Sequence, residues 1–179
     1  MNHHPSTRWC RRSGPLGTMR LVARGEAIVG LYFDGQKYDV REGDDWRAAP
    51  ADALLRDAAR QLDEYFDGQR TRFDLALDPT GTPFQRSIWR TIAAVPSGST
   101  ITYGELARRV GKPSSVRAAG AATGRNPISI VVPCHRIIGA GGALTGYAGG
   151  LDRKRALLAL ERPLHEDVRR TSDARTHAR

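Results

Sequence analysis

The sequence has few of the residues that stabilise small extracellular domains or bind metals. Its 179 residues include only two cysteines, Cys10 and Cys134, which gives no disulfide framework and fits a reducing compartment. Cys10 lies near His3 and His4, but no second pair of ligands follows at the spacing that zinc sites use. We therefore expect free thiols and no metal.

Long apolar stretches are also absent. No window approaches the roughly 18 apolar residues that a membrane-spanning helix needs. The N-terminal segment MNHHPSTRWCRRSG lacks the apolar region of a signal peptide. These absences predict a soluble, cytoplasmic protein without membrane contact. With 40% hydrophobic residues, the chain has material for one ordinary core or two small ones.

Acidic residues are scarce in one part of the chain only. Residues 1–80 carry 12 basic and 13 acidic side chains, whereas residues 81–162 carry 12 basic and 3 acidic ones, so the second region accounts for the net charge of +9. This step predicts two domains, of which the second binds a polyanion. Most basic residues are arginines, which bind phosphate in a bidentate manner, but a GC-rich genome produces the same bias.

Local patterns in the first half predict a small α/β domain. Alternating apolar residues indicate strands, and apolar residues at helical spacing indicate a helix. The expected elements are a mobile tail over 1–13, a β-hairpin over 19–33, a short strand over 37–40, a helix over 51–66 and a strand over 72–77. The Pro/Gly-rich segment 78–83 coincides with the charge step, so we place the domain boundary after Thr80.

The second half is predicted to be mostly helical. Its expected elements are a helix over 84–95, a helix–turn–helix over 102–124, a strand over 129–132, a glycine-rich loop over 139–150, a helix over 151–161 and a disordered tail over 163–179. The second helix of the helix–turn–helix is made of small residues between 118 and 122, with Arg117 near its start. Such a helix can approach another surface closely, although composition alone favours packing in the core.

Cys134 is the candidate nucleophile. A thiolate is the reactive form, so a reactive cysteine needs a base or positive potential nearby, and His135 and Arg136 follow directly. Neighbours on a strand point to opposite faces, so contact between Cys134 and His135 requires a turn after Pro133 or a bridging water. Glu161 is able to orient the imidazole, in a nucleophile–base–carboxylate relay. An inert buried cysteine fits the same spacing.

The segment around Cys134 has a recognisable pattern. NPISIVVPCHRII, followed by GAGGALTGYAGGLDRKRALLALE, resembles the signature of the methylated-DNA–protein-cysteine methyltransferases, also called O6-alkylguanine-DNA alkyltransferases. The resemblance extends through GTPFQRSIW, VPSGSTITYGELA and VRAAGAATGRNP, and so covers about residues 82–161. The first half is similar more loosely, through GPLGTMRLVA and LDEYFDGQRTRFDLAL.

The resemblance implies an α+β fold. A small ribonuclease-H-like domain over 14–80, with an antiparallel sheet and a helix, would precede a mostly helical domain over 81–162 that contains the helix–turn–helix. The implied function is direct-reversal DNA repair: after base flipping, the alkyl group of O6-methylguanine, or less readily O4-methylthymine, moves irreversibly to Cys134. The reaction would need no cofactor and occur once per molecule. We expect a monomer that binds double-stranded DNA; the sequence leaves cooperative binding open.

The resemblance also implies roles for individual residues. His135 would act as base through a water, with Glu161 behind it, Tyr103 would face the guanine and donate a proton, and Asn126 would hold the active-site segment. Arg117 would occupy the space of the extruded nucleotide. The small helix would enter the minor groove, which reverses the core interpretation. The implied DNA contacts are Tyr103, Ser114, Arg117, Ala118, Ala119, Ala121 and Ala122, and the implied pocket residues are Thr123, Ile137, Tyr147, Ala148 and Gly149.

Two functions of other classes use some of the same features. A non-catalytic DNA-binding module would share the basic domain, but relatives of that kind replace the cysteine that this chain keeps as Cys134. A cysteine hydrolase would use Cys134 and His135. It would also need an oxyanion site and a route for turnover, and a strongly basic domain supplies a reason for neither.

Overall fold

The structure is a computed structural model that describes residues 6–162. The predicted tail over 163–179 therefore lies outside the described residues. The first half contains β1 (Thr7–Gly14), β2 (Gly17–Arg24), β3 (Ala27–Phe33), β4 (Trp46–Ala48) and α1 (Ala53–Phe66). The second half contains α2 (Pro83–Ala93), β5 (Ile101–Thr102), α3 (Tyr103–Arg109), α4 (Val116–Gly124), β6 (Ile137–Ile138) and α5 (Leu151–Leu160). This arrangement confirms the predicted α+β class.

The N-terminal sheet has the strand order β3-β2-β1-β4, with β4 parallel to β1 and the other neighbours antiparallel. The hairpin predicted over 19–33 is confirmed, and Gly25 in its turn has a φ of 56°, which suits glycine. The strand predicted over 37–40 is wrong, because these residues turn away and Tyr38 has a φ of 62°. Trp46–Ala48 provides the edge strand instead.

The tail predicted over 1–13 is wrong for Thr7–Ser13, which lie in β1 inside the sheet. This strand is polar, but its arginines pair with carboxylates at helix α1. Arg8 Nε lies 3.2 Å from the carboxylate of Asp52, and Arg12 Nε donates to Asp63 at 3.1 Å. The polar composition of this segment therefore did not predict a strand, because the carboxylates that pair with its arginines lie some 40 to 50 residues away in the chain.

Helix α1 begins at its N-cap Asp52, whose side chain accepts from the Leu55 N–H at 3.1 Å. The strand predicted over 72–77 is wrong for most of its length: among the described residues the segment forms a bridge only at Leu77. The Gln61 side chain of α1 makes backbone hydrogen bonds to this segment of the kind that a neighbouring strand would make. Its side chain donates to the Asp74 carbonyl at 3.0 Å and accepts from the Asp74 N–H at 2.8 Å.

The predicted helices of the second half are confirmed. α2 begins with a capping box between Thr82 and Gln85. α3 and α4 form the predicted helix–turn–helix, in which Thr102 caps α3 and Gly111 turns the chain with a φ of 71°. The glycine-rich loop over 139–150 contains only a short 3₁₀ turn and leads into α5.

One hydrophobic cluster runs through both halves of the chain. It includes Phe33 and Leu62 from the first half and Ile92, Leu106 and Leu157 from the second. This shared core joins the two halves, and the Tyr65 side chain of α1 contacts Glu161 at the end of α5. The boundary after residue 80 stays a prediction. Within residues 6–162, no helix combines the length and the apolar character that a membrane span requires.

Candidate active site

A short helical turn places three chemically important side chains in succession. Cys134–Arg136 forms a 3₁₀ turn directly after Pro133. A turn after Pro133 is one of the two arrangements predicted from the sequence for bringing Cys134 and His135 into one site. All three side chains are buried, although two of them are basic. Buried basic groups need hydrogen-bond or charge partners, and the surrounding residues supply them.

The thiol of Cys134 is almost fully enclosed, with 4% of the residue exposed. Burial raises its pKa, while a hydrogen bond from Asn126 and the charge of Lys154 act in the opposite direction. The Asn126 Nδ2 group lies 3.1 Å from the Cys134 Sγ atom and donates to it. Because the net shift is upward, Cys134 is a neutral thiol at neutral pH and needs a base to become a nucleophile.

Asn126 also holds the chain that leads to Cys134. The strand predicted over 129–132 is wrong, since these residues form consecutive turns and Ile130 has a φ of 70°, which β-branched residues rarely adopt. The Asn126 side chain makes hydrogen bonds to the backbone of this segment that a neighbouring strand would otherwise make. Its Oδ1 accepts from the Ile128 N–H at 3.0 Å, and its Nδ2 donates to the Val132 carbonyl at 2.7 Å.

His135 is paired with Glu161 inside the protein. Its Nε2 atom lies 2.8 Å from Glu161 Oε1. A carboxylate can only accept, so Nε2 carries the hydrogen and Nδ1 keeps a lone pair. His135 Nδ1 is buried and has no hydrogen-bond partner among the described protein atoms. Burial also lowers the pKa of His135, so the ring is neutral at neutral pH and able to take up a proton at Nδ1.

Glu161 is held by more groups than the sequence indicated. It is the C-cap of α5, where the helix dipole disfavours a negative charge. Arg136 offsets this by donating from Nε to Oε2 and from Nη2 to Oε1, both at 2.8 Å. Tyr65 of α1 donates to Oε1 at 2.7 Å. Burial alone would raise the pKa of Glu161, but hydrogen bonds from His135, Arg136 and Tyr65 hold it well below its usual range.

A pocket of about 260 Å³ opens onto Cys134. Of the residues predicted for this pocket, Thr123, Tyr147 and Ala148 line it, together with Tyr103. Ile137 and Gly149 do not line it. Ile137 is fully buried in β6, which pairs with β5, and Gly149 packs beside Tyr147 and Phe33.

The first half of the chain supplies one wall of this pocket, which sequence reasoning did not predict. Lys37 and Tyr38 line it, and the Lys37 N–H donates to the Ala148 carbonyl at 2.9 Å. The guanidinium of Arg125 lies 4.6 Å from the centre of the Tyr38 ring, a cation–π contact. No local signal in the sequence pairs residues 37 and 38 with a loop more than 100 residues later.

Lys154 is a further residue that the sequence did not indicate. It is fully buried and its ammonium group donates to three carbonyls, those of Ile137 at 2.6 Å, Thr145 at 3.0 Å and Gly146 at 3.4 Å. These contacts join α5 to the loop that carries Tyr147. Lysines are almost never fully buried, and Lys154 lies between Arg153 and Arg155 in a charged run, so the sequence did not predict its burial.

Helix α4 presents a divided surface. Arg117, Ala118 and Ala121 are exposed, whereas Ala119 and Ala122 are buried against the core. The predicted contact of Ala119 and Ala122 with DNA is therefore wrong, because helical periodicity turns these two side chains inward. A shallow depression beside the exposed face is lined by Tyr103, Ser114, Val116, Arg117 and Gly120. Tyr103 thus lies between this depression and the pocket at Cys134.

The groups in this site suit nucleophilic chemistry by a buried thiol. The thiol has a hydrogen-bond donor, a neutral base and an orienting carboxylate close by in the fold. Among residues 6–162, no group of three or more His, Cys, Asp and Glu side chains lies close enough to hold a metal ion.

Comparison with protein families gives two adjoining matches. The family described as "6-O-methylguanine DNA methyltransferase, ribonuclease-like domain" matches residues 13–79. The family described as "6-O-methylguanine DNA methyltransferase, DNA binding domain" matches residues 83–163. Together the two matches span most of the chain.

Individual relatives agree with these matches. A methylated-DNA–protein-cysteine methyltransferase of Methanosarcina mazei is 54% identical over 147 residues, which cover 82% of this chain and 92% of the relative. The enzyme of the same name from Mycolicibacterium paratuberculosis is 48% identical over 149 residues, covering 83% and 88%. The crystal structure of Mycobacterium tuberculosis OGT in complex with DNA superposes with a TM-score of 0.82 at 43% identity, over 86% of this chain and 92% of that one.

Proposed function

Because the chain belongs to the methylated-DNA–protein-cysteine methyltransferase family and acts in DNA repair by alkyl transfer, we propose that the acceptor is Cys134 and that the substrate is O6-methylguanine in double-stranded DNA. Each molecule reacts once. Membership of the family also implies a smaller activity toward O4-methylthymine. The protein acts as a monomer without a cofactor.

The observation that carries this proposal is the pocket that ends at a buried thiol. Its walls include Tyr103, Tyr147 and the backbone near Ala148, which suits a flat purine ring. Cys134 is too deeply buried to reach a base inside a duplex. The alkylated nucleotide must therefore leave the helix, at a cost of a few kcal/mol that a damaged pair reduces.

The chemical step uses the relay described above. His135 Nδ1 takes the thiol proton through a water molecule, while Glu161 stabilises the resulting imidazolium. The sulfur attacks the methyl carbon in line, so the new S–C bond forms as the C–O6 bond breaks. The bonding electrons remain on guanine, which receives a proton with Tyr103 as the donor. One proton leaves the thiol for His135 and one passes from Tyr103 to the base. Transfer of the His135 proton through water to the Tyr103 phenolate restores both side chains, and the stable thioether on Cys134 ends the activity of that molecule.

Helix α4 is the proposed DNA-contacting element. Its exposed small residues Ala118 and Ala121 allow the backbone to approach the minor groove, which is only about 6 Å wide in B-DNA. Arg117 is exposed at the start of the helix and fills the gap left by the flipped nucleotide. The excess of basic residues over 81–162 supplies sequence-independent attraction to phosphates.

The test is transfer of a labelled methyl group from duplex DNA that contains O6-methylguanine. We expect at most one label per protein molecule, located on Cys134 by peptide mass spectrometry. Cys134→Ala should abolish transfer and retain DNA binding. Cys10→Ala is the matched control, since Cys10 is the other free cysteine and lies in β1 away from the pocket. Multiple turnovers, or label on Cys10, would contradict the proposal.

A further inference from the structure

A tyrosine from the N-terminal half reaches the relay in the C-terminal half. Tyr65 lies near the end of α1, with 2% of the residue exposed, and its ring packs against Phe66 and Phe73. Its hydroxyl donates to Glu161 Oε1 at 2.7 Å. Glu161 is the same carboxylate that accepts from His135. A residue of the first half is therefore in direct contact with the relay.

The Tyr65 hydroxyl differs from the other donors to Glu161. Arg136 supplies two hydrogen bonds and a full positive charge, and His135 supplies the hydrogen bond that defines its own tautomer. Tyr65 donates without adding charge. Its hydroxyl fixes the carboxylate in place and lowers the basicity of the oxygen that faces the imidazole.

We propose that Tyr65 is a positioning residue for alkyl transfer. By donating to Glu161, it holds the carboxylate against His135 and keeps the imidazole neutral and correctly oriented as the base. The N-terminal half is then a functional part of the active site as well as a structural companion. This inference rests on the proposed function, because it assigns Tyr65 a role in the relay that deprotonates Cys134.

The pH dependence of transfer can reveal this role. Among the described residues, the charged and titratable groups that act on His135 and Glu161 are Arg136 from the same turn, Lys154 from α5 and Tyr65 from α1. Tyr65→Phe changes none of these charges and keeps the packed ring. Without the hydroxyl, Glu161 becomes a stronger acceptor and stabilises protonated His135. The acid limb of the rate profile should therefore move to higher pH.

The experiment measures single-turnover methyl transfer from duplex O6-methylguanine as a function of pH. Tyr65→Phe should slow transfer about tenfold near neutral pH, which is the typical effect of a lost hydrogen bond to a charged group, and should shift the acid limb upward. Tyr32→Phe is the matched control, because it removes another buried tyrosine hydroxyl that does not contact Glu161. It should leave rate and profile unchanged. In a Glu161→Gln background, Tyr65→Phe should add little further loss.

Two results would overturn the role of Tyr65. One is a folded Tyr65→Phe protein with an unmoved pH profile, and the other is an equal loss in the Glu161→Gln background, since Tyr65 would then act elsewhere. If Tyr65→Phe does not fold, fluorotyrosine at position 65 is the second variant, because it keeps the ring and its hydroxyl donates more strongly. The acid limb of the pH–rate profile should then move to lower pH. An unmoved acid limb would overturn the proposal. The wild-type protein distinguishes failure of the Tyr65 proposal from failure of the proposed function. Absence of transfer by the wild-type protein would contradict the proposed function itself.

Discussion

Replacing Lys154 with methionine tests how the glycine-rich loop is held beside Cys134. Methionine has nearly the same length and fills the same space, but it cannot donate to the carbonyls of Ile137, Thr145 and Gly146. The substitution therefore removes the link between α5 and the loop without opening a large cavity. It separates the contribution of the ammonium group from that of side-chain packing.

The expected magnitude follows from the surroundings of each carbonyl. The Ile137 carbonyl is fully buried, and leaving it unpaired costs about 1–3 kcal/mol. The contacts to Thr145 and Gly146 are partly exposed, so water replaces much of their value. Burial lowers the pKa of Lys154, which reflects a penalty that methionine avoids. We expect a net loss of about 1–3 kcal/mol, which lowers Tm by roughly 2–12 °C for a chain of this size.

The rate of methyl transfer by Lys154→Met should fall by a larger factor than its modest loss of stability would suggest. The loop places Tyr147 and Ala148 at the pocket, and a displacement of about 1 Å can reduce a rate by about 100-fold. Thermal unfolding and single-turnover transfer at saturating DNA measure the two effects. Lys112→Met is the control for stability, because Lys112 is exposed in the turn before α4. Lys154→Met with wild-type Tm and wild-type transfer would refute the reasoning.

Three further predictions concern the base, the DNA surface and the flipped nucleotide. Because burial lowers the pKa of His135, transfer should persist as pH falls through about 6.5, the usual histidine value, and decline only below it; a pH–rate profile with its acid limb at or above that value would contradict a buried neutral base. Ala121→Leu should weaken DNA binding without lowering Tm, whereas Ala119→Leu should lose about 1–3 kcal/mol of stability by overpacking; binding and melting measurements that show the reverse would place the wrong face of α4 on DNA. Arg117→Ala should slow transfer from duplex DNA more than transfer from the free base, and equal losses would argue against a role in base extrusion.

Much of the site was predictable because its signals are local. Helices α1 and α2 have cap residues and apolar spacing that identify them in isolation. The segment around Cys134 combines a thiol, a base and a carboxylate in a pattern that resembles one family. The charge step at residue 80 pointed to the half that matches the DNA binding domain of the family.

The incorrect predictions of secondary structure arose where residues distant in the chain supply one another's hydrogen-bond or charge partners. The polar strand β1 exists because Arg8 and Arg12 find carboxylates on or beside α1. Residues 129–132 turn because the Asn126 side chain replaces a strand partner. Local propensity cannot encode either outcome, since the deciding hydrogen bonds form only after the chain has folded.

By itself, the sequence determined the family and the order of the main helices and indicated the candidate nucleophile, because these depend on residue identity and short-range spacing. Tertiary structure decided which side of α4 is available to a partner, and it buried Lys154 beneath the loop. It also brought Tyr65 to Glu161 and Lys37 and Tyr38 to the pocket. These contacts join the two halves of the chain across a shared core, so their energies depend on packing that no single segment specifies.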